Sequence, residues 1–134
     1  MAESPGRVLV VEDDEVNLEL AAFLLEEAGF EVRAARDLDE ARRALQAEAP
    51  DVLLMDMSLN GADGLELVAE LRADPGLRRL PVLALTAHAM RGDRERFLAA
   101  GCDGYIAKPI DVKTFVHEVA RHLPGRRAAG GEGA

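Results

Sequence analysis

Val52-Leu53-Leu54-Met55-Asp56 is a run of four apolar residues that ends on a carboxylate. Consecutive apolar residues without alternation form the pattern of a strand buried on both faces, as inside a parallel sheet. An acid at the end of such a strand either caps it in a solvated loop, the usual fate of a carboxylate, or belongs to a site. The segments on either side bear on which.

Upstream, Arg7-Val8-Leu9-Val10-Val11 is a first buried strand, and it delivers Glu12, Asp13, Asp14 and Glu15 to its carboxyl end. Residues 15–28 are helix formers, with Asp14 placed as N-cap and Gly29 just past the end; Asn17, Leu20, Leu24 and Ala28 share one face. Residues 30–35 form a weaker second strand, and Asp37 can cap a helix carrying Leu38, Ala41 and Leu45 before Pro50. The strand ending at Asp56 comes third.

Downstream, residues 58–64 (Ser-Leu-Asn-Gly-Ala-Asp-Gly) read as a loop, after which Leu65, Leu67, Val68 and Leu71 begin a third helix that stops near Asp74-Pro75-Gly76. Val82-Leu83-Ala84-Leu85-Thr86 is a fourth strand, residues 91–100 a polar helix with Phe97 and Leu98, and Gly101 its terminator. Gly104-Tyr105-Ile106-Ala107 is a fifth strand leading to Lys108-Pro109, and Phe115, Val116, Val119 and Leu123 make the apolar stripe of a last helix. Parallel strands need crossovers of helical length, so this alternation predicts an α/β fold with a five-stranded parallel sheet and helices on both faces.

The totals fit that outline. A chain of 134 residues matches one domain, here residues 7–123, with a short tail at 1–6 and a Gly, Ala and Arg rich tail at 124–134 that is expected to be disordered. Lysine and arginine total 16 against 25 acidic residues, a formal charge of −9, which disfavours direct binding to nucleic acid. Cys102 is the single cysteine, so no internal disulfide forms and a reducing compartment is expected. The start has no apolar signal core, and no apolar run nears the roughly 18 residues of a membrane span, so a cytoplasmic protein without membrane association is expected.

In sheets of this kind ligands bind beyond the carboxyl ends of the strands, where the strand order reverses. The residues standing there are Asp13 and Asp14 after the first strand, Asp56 after the third, Thr86 after the fourth and Lys108 after the fifth. If the strand order gathers these ends, like charges about 4 Å apart repel by about 4 kcal/mol per pair at an effective dielectric near 20. A hard cation such as Mg²⁺, bound through one or two carboxylates plus phosphate oxygens, would relieve this. Zinc is unsuited, because Cys102, His88, His117 and His122 lack ligand spacing. One carboxylate could then act as nucleophile toward a phosphoryl group while Lys108 and Thr86 hold its oxygens. Taken singly, Asp13 and Asp14 could merely favour a helix N-terminus, Thr86 could cap a strand, and Lys108 could be a surface lysine.

Val10-Val11-Glu12-Asp13-Asp14, Leu53-Leu54-Met55-Asp56-Met57, Ala62-Asp63-Gly64, Ala84-Leu85-Thr86-Ala87 and Ala107-Lys108-Pro109, in this order, resemble the receiver domain of bacterial response regulators over about residues 6–123. The resemblance implies a flavodoxin-like, doubly wound (βα)5 sandwich and a two-component signalling phosphoprotein. It implies that Asp56 accepts a phosphoryl group from a histidine kinase or histidine phosphotransferase, that Asp13 and Asp14 bind Mg²⁺ with the Ser58 carbonyl as a further ligand, and that Lys108 pairs with the phosphate. Thr86 would be the switch hydroxyl, Tyr105 the aromatic that turns inward behind it, and Lys108-Pro109 a cis peptide. Where the family usually has Met-Pro, this chain has Leu59-Asn60 followed by Gly61, and the lost proline predicts a more mobile loop.

Further features carry paired readings. Tyr105 could instead be a half-buried strand aromatic. Arg91, Arg94 and Arg96 form either a solvated helix face or a signalling surface. Val16 and Phe23 are expected to pack against the last helix, or failing that to dock a partner helix.

The leading function is a stand-alone response regulator whose output is phosphorylation-dependent binding of a downstream protein target; a receiver module of a hybrid kinase would look the same. An enzyme is the rival, a Mg²⁺-dependent phosphohydrolase turning over Asp56. Such enzymes usually carry an acid two residues after the nucleophile, where this chain has Ser58. A phosphate-independent scaffold is a third reading. Nucleotide binding is disfavoured, since acids rather than a glycine-rich phosphate loop follow the first strand.

Overall fold

The computed structural model describes residues 6–59, 62–87 and 91–123, with the backbone alone for residues 58, 59, 62, 63 and 91–94. Residues 1–5 and 124–134 of the two expected tails, residues 60–61 of the proposed mobile loop, and the side chains of Arg91 and Arg94 lie outside what is described.

Five strands alternate with five helices: β1 (Arg7–Val11), α1 (Glu15–Glu27), β2 (Glu31–Ala35), α2 (Leu38–Ala47), β3 (Val52–Asp56), α3 (Gly64–Ala73), β4 (Val82–Thr86), α4 (Arg91–Ala100), β5 (Gly104–Ala107) and α5 (Phe115–Ala120). The strands form one parallel sheet in the order β2-β1-β3-β4-β5. The first crossover runs toward β2 and the later ones run the other way, so the order reverses between β1 and β3. The carboxyl ends of these two strands therefore flank the crevice where doubly wound sheets bind their ligands.

Burial explains why the strands read as unbroken apolar runs. Every residue of β3 and β4 is buried, because helices cover both faces of the sheet. One face packs Leu9, Val11, Leu53 and Met55 against Leu67, Val68 and Leu71 of α3 and Phe97 of α4. The other packs Val8, Val10, Leu54 and Leu85 against Leu18, Ala21 and Leu25 of α1 and Phe115 and Val119 of α5.

Three expectations need correction. The buried stripe of α1 is Leu18, Ala21 and Leu25; Leu20 and Leu24 lie at its margin and Ala28 is exposed. Val16 and Phe23 do not pack against α5, since they are 73% and 59% exposed. Residues 58–64 are not all loop: Ser58 pairs with Asp63 and Leu59 with Ala62 in a short antiparallel ladder. Asn60-Gly61 between them is the commonest sequence signal for such a hairpin.

Candidate functional site

β1 and β3 are neighbours, in a register that sets Val11 beside Met55. The residues that follow, Glu12 and Asp56, therefore emerge side by side. Both are buried, at 0% and 3% exposure, and Asp13 is half-buried beside them. Carboxylate oxygens of Glu12, Asp13 and Asp56 all lie within 4.8 Å of one another.

Gly64 brings α3 close beneath this end of β3. A Cβ built there would stand 3.3 Å from the Asp56 carbonyl oxygen and 3.1 Å from Met57 Sδ, so the approach suits glycine.

The positive charge comes from Lys108, which follows β5 and is joined to Pro109 by a cis peptide bond. Its backbone amide donates to the Thr86 carbonyl at 2.8 Å, which fixes the start of the turn to the end of β4. Its ammonium donates to Asp56 Oδ2 at 3.1 Å and lies 2.8 Å from Glu12 Oε1. The second contact is an ion pair without hydrogen-bond alignment, and Glu12 Oε1 has no hydrogen-bond donor.

These contacts set the electrostatics. Burial, reinforced by Asp56, pushes the Glu12 carboxyl up to about 7, although Lys108 and the Asp14 amide oppose the rise. Burial works against the charge on Lys108, but Glu12 and Asp56 outweigh it and hold the ammonium above its ordinary value. The pocket thus carries more negative charge than one lysine offsets.

Asp14, paired with Asp13 in the sequence reading, is placed elsewhere. Its Oδ1 accepts from the amides of Val16 at 2.9 Å and Asn17 at 3.1 Å, which makes it the N-cap of α1. Glu12 takes the corresponding place in the cluster, held by the Asp14 amide on its Oε2 at 3.0 Å. The sequence carries the signal, since Asp14 already reads as the N-cap of the first helix.

Thr86 is 4% exposed, one residue beyond the position opposite Asp56 in the β3–β4 register. Tyr105, opposite Ala84 on β5, is half-buried against the cluster that contains Phe97. The side chain of Ser58 lies outside the described residues, while its backbone directly follows Met57 in the short ladder. Arg96 is exposed, with its guanidinium 5.4 Å from the centre of the Phe97 ring. Cys102 is buried, and burial pushes its thiol up to about 11, so it is neutral and unreactive at ordinary pH.

Known proteins share this architecture. The response regulator receiver domain family matches residues 8–120. A polar-differentiation response regulator DivK from Brucella anthropi is 41% identical over 119 residues, which span 89% of this chain and 97% of that protein. A putative response regulator from Chloroflexus aurantiacus superposes with a TM-score of 0.84 at 34% identity, covering 90% of this chain and 98% of its own. The receiver domain of a sensor histidine kinase from Pseudomonas aeruginosa, solved with a magnesium ion coordinated in its active site cleft, superposes with a TM-score of 0.79 at 35% identity and the same two coverages. Among the described residues no helix is long and apolar enough to cross a membrane. With the acidic pocket at the strand ends and the family match over most of its length, this chain belongs to the response regulator receiver domains, the phosphoacceptor modules of two-component signalling.

Proposed function

We propose that this protein is a Mg²⁺-dependent phosphoacceptor whose acceptor group is Asp56, charged by a histidine kinase or histidine phosphotransferase. The observation that carries the reading is the position of Asp56: almost fully buried, among two further carboxylates, with its Oδ2 on the Lys108 ammonium. In the transfer an Asp56 carboxylate oxygen forms the new P–O bond as the P–N bond of the phosphohistidine breaks, and that bond's electron pair returns to the imidazole nitrogen.

The residues fit a divalent ion. Three carboxylates converge on one shared ammonium, so a hard cation would supply the further positive charge that this set lacks. Glu12, Asp13 and Asp56 would hold Mg²⁺, with the Ser58 carbonyl as a further ligand. Bound there, the ion would offset charge on the phosphoryl oxygens. Lys108 would keep its place on Asp56 and pair with a phosphoryl oxygen.

The output follows from the neighbours of the site. Thr86 would turn its hydroxyl to the phosphoryl group, Tyr105 would follow it inward, and the surface of β4, α4 and β5 would change. A groove of about 510 Å³ borders this surface, lined by Leu98, Tyr105, Pro109, Thr114, Glu118 and His122 among others, and gives a downstream protein target a place to bind. The exposed side chains of Val16 and Phe23 on α1 would dock a helix of the phosphodonor. A receiver module within a hybrid kinase would use the same chemistry, and the Pseudomonas likeness keeps that setting in view.

Kinetics separate acceptor from hydrolase. With a phosphohistidine donor and Mg²⁺ the protein should gain one phosphoryl group and release phosphate slowly. Multiple-turnover hydrolysis of ordinary phosphomonoesters would contradict the proposal.

A further inference from the structure

Arg72, at the carboxyl end of α3 and on the opposite side of the sheet from Asp56 along the strand direction, makes five hydrogen bonds that no phosphoacceptor chemistry requires. Its Nε and Nη2 donate to the Gly101 carbonyl at 3.0 and 2.6 Å, and Nη2 also to Asp103 Oδ2 at 3.1 Å. Its Nη1 donates to the carbonyls of Arg78 at 2.9 Å and Leu80 at 2.8 Å. The guanidinium thus ties α3, the segment entering β4 and the end of α4 into one knot. Asp103 extends it to the sheet: its Oδ2 accepts from the Val82 amide at 2.8 Å and its own amide donates to the Val82 carbonyl at 2.7 Å.

Gly101 is fitted to this knot. It ends α4 at φ +117°, and a Cβ there would meet Arg72 Cγ and Nε at 3.1 Å. Among the described side chains of α4 Phe97 alone is buried, while Glu95, Arg96, Leu98 and Ala99 are exposed. The Gly101 end of α4 is therefore fastened to Arg72, and among the described side chains Phe97 is the one buried anchor.

From this fastening we infer that Arg72 is a positioning residue, the pivot that holds the carboxyl end of α4 and the starts of β4 and β5 still while the amino half of α4 responds to the phosphoryl group. The inference rests on the proposed phosphorylation of Asp56 and adds to it which part of the output surface moves and which does not. The multidentate fork is what makes the pivot rigid, because a planar guanidinium holds its five donors in a fixed geometry, whereas an ammonium's three donors rotate on a flexible stem.

Hydrogen–deuterium exchange on the full chain with Mg²⁺, before and after phosphoramidate treatment, tests it, with intact mass recording the phosphoryl group. In the wild type, phosphorylation should change exchange in residues 91–96 several-fold and leave residues 99–104 unchanged. In Arg72→Lys the phosphoryl gain should be the same, but the change should spread into residues 99–104. Asp103→Asn, which removes the charge pair and keeps the Gly101 bonds, should give a smaller spread and serves if Arg72→Lys does not fold. A merely structural role would lower stability in both states and leave the pattern of change intact. Wild-type behaviour in both variants, or a change in residues 99–104 of the wild type, overturns the pivot. Phosphorylation with no exchange change anywhere in residues 91–107 overturns the two-state output together with the pivot, and no mass gain overturns the phosphoacceptor reading beneath both.

Discussion

Lys108 Nζ stands 2.8 Å from Glu12 Oε1, and the same ammonium serves Asp56 Oδ2 at 3.1 Å. One cation is shared by two buried acids, so its removal takes the same counter-charge from both. Lys108→Met should cost about 3 kcal/mol of stability in urea unfolding at pH 8 without divalent ion. The loss should shrink at pH 5, where Glu12 takes a proton, and the double variant Glu12→Gln/Lys108→Met should recover part of it.

Glu12 itself makes stability depend on pH. Its folded value, about 7, lies above the ordinary 4.5, so between these limits the native state binds more protons than the unfolded state. The contribution is fully present below pH 4.5 and is lost as pH rises through 7. Glu12→Gln keeps a neutral group there. The stability difference, variant minus wild type, should therefore grow in the variant's favour by a few kcal/mol between about pH 5 and pH 8 in the absence of divalent ion. Denaturant unfolding across that range checks it, and a flat difference would refute the buried charge.

Asp13 and Asp14 should separate cleanly. Asp13→Ala should weaken Mg²⁺ binding by tenfold or more, measured by titration calorimetry, because it removes one of three converging carboxylates. Asp14→Ala should leave Mg²⁺ affinity nearly unchanged and cost about 1 kcal/mol of stability through the lost helix cap.

On α1, Leu25→Ala should cost about 3 kcal/mol, since Leu25 is fully buried. Leu20→Ala, at the margin of the same cluster, should cost less than half as much.

That contrast also shows what could be read from the chain. β1, β3, β4 and β5 have the limits expected of them; β3 and β4, buried at every position, leave the clearest apolar runs. The face of α1 is not legible: Leu18, Leu20, Ala21, Leu24 and Leu25 spread apolar side chains around much of the helix, and only the packing against β1, β2 and α5 chooses among them. Glu12 escaped notice for a related reason. Glu12, Asp13, Asp14 and Glu15 are four acids in a row, and which of them turn inward depends on where the strand gives way to the helix cap. The Glu12 amide still donates to Ala35 at 2.9 Å, continuing the ladder, so its side chain follows the alternation of the strand into the pocket. The short ladder after Asp56 is signalled only by Asn60-Gly61, because two-residue strands carry no periodicity to detect.

The central claim is that Asp56 is the group that receives phosphate, and the most direct measurement is intact mass after incubation with phosphoramidate and Mg²⁺. The wild type should gain one phosphoryl group, and Asp56→Asn, verified as folded by circular dichroism, should gain none. Equal phosphorylation of the two proteins would contradict the account.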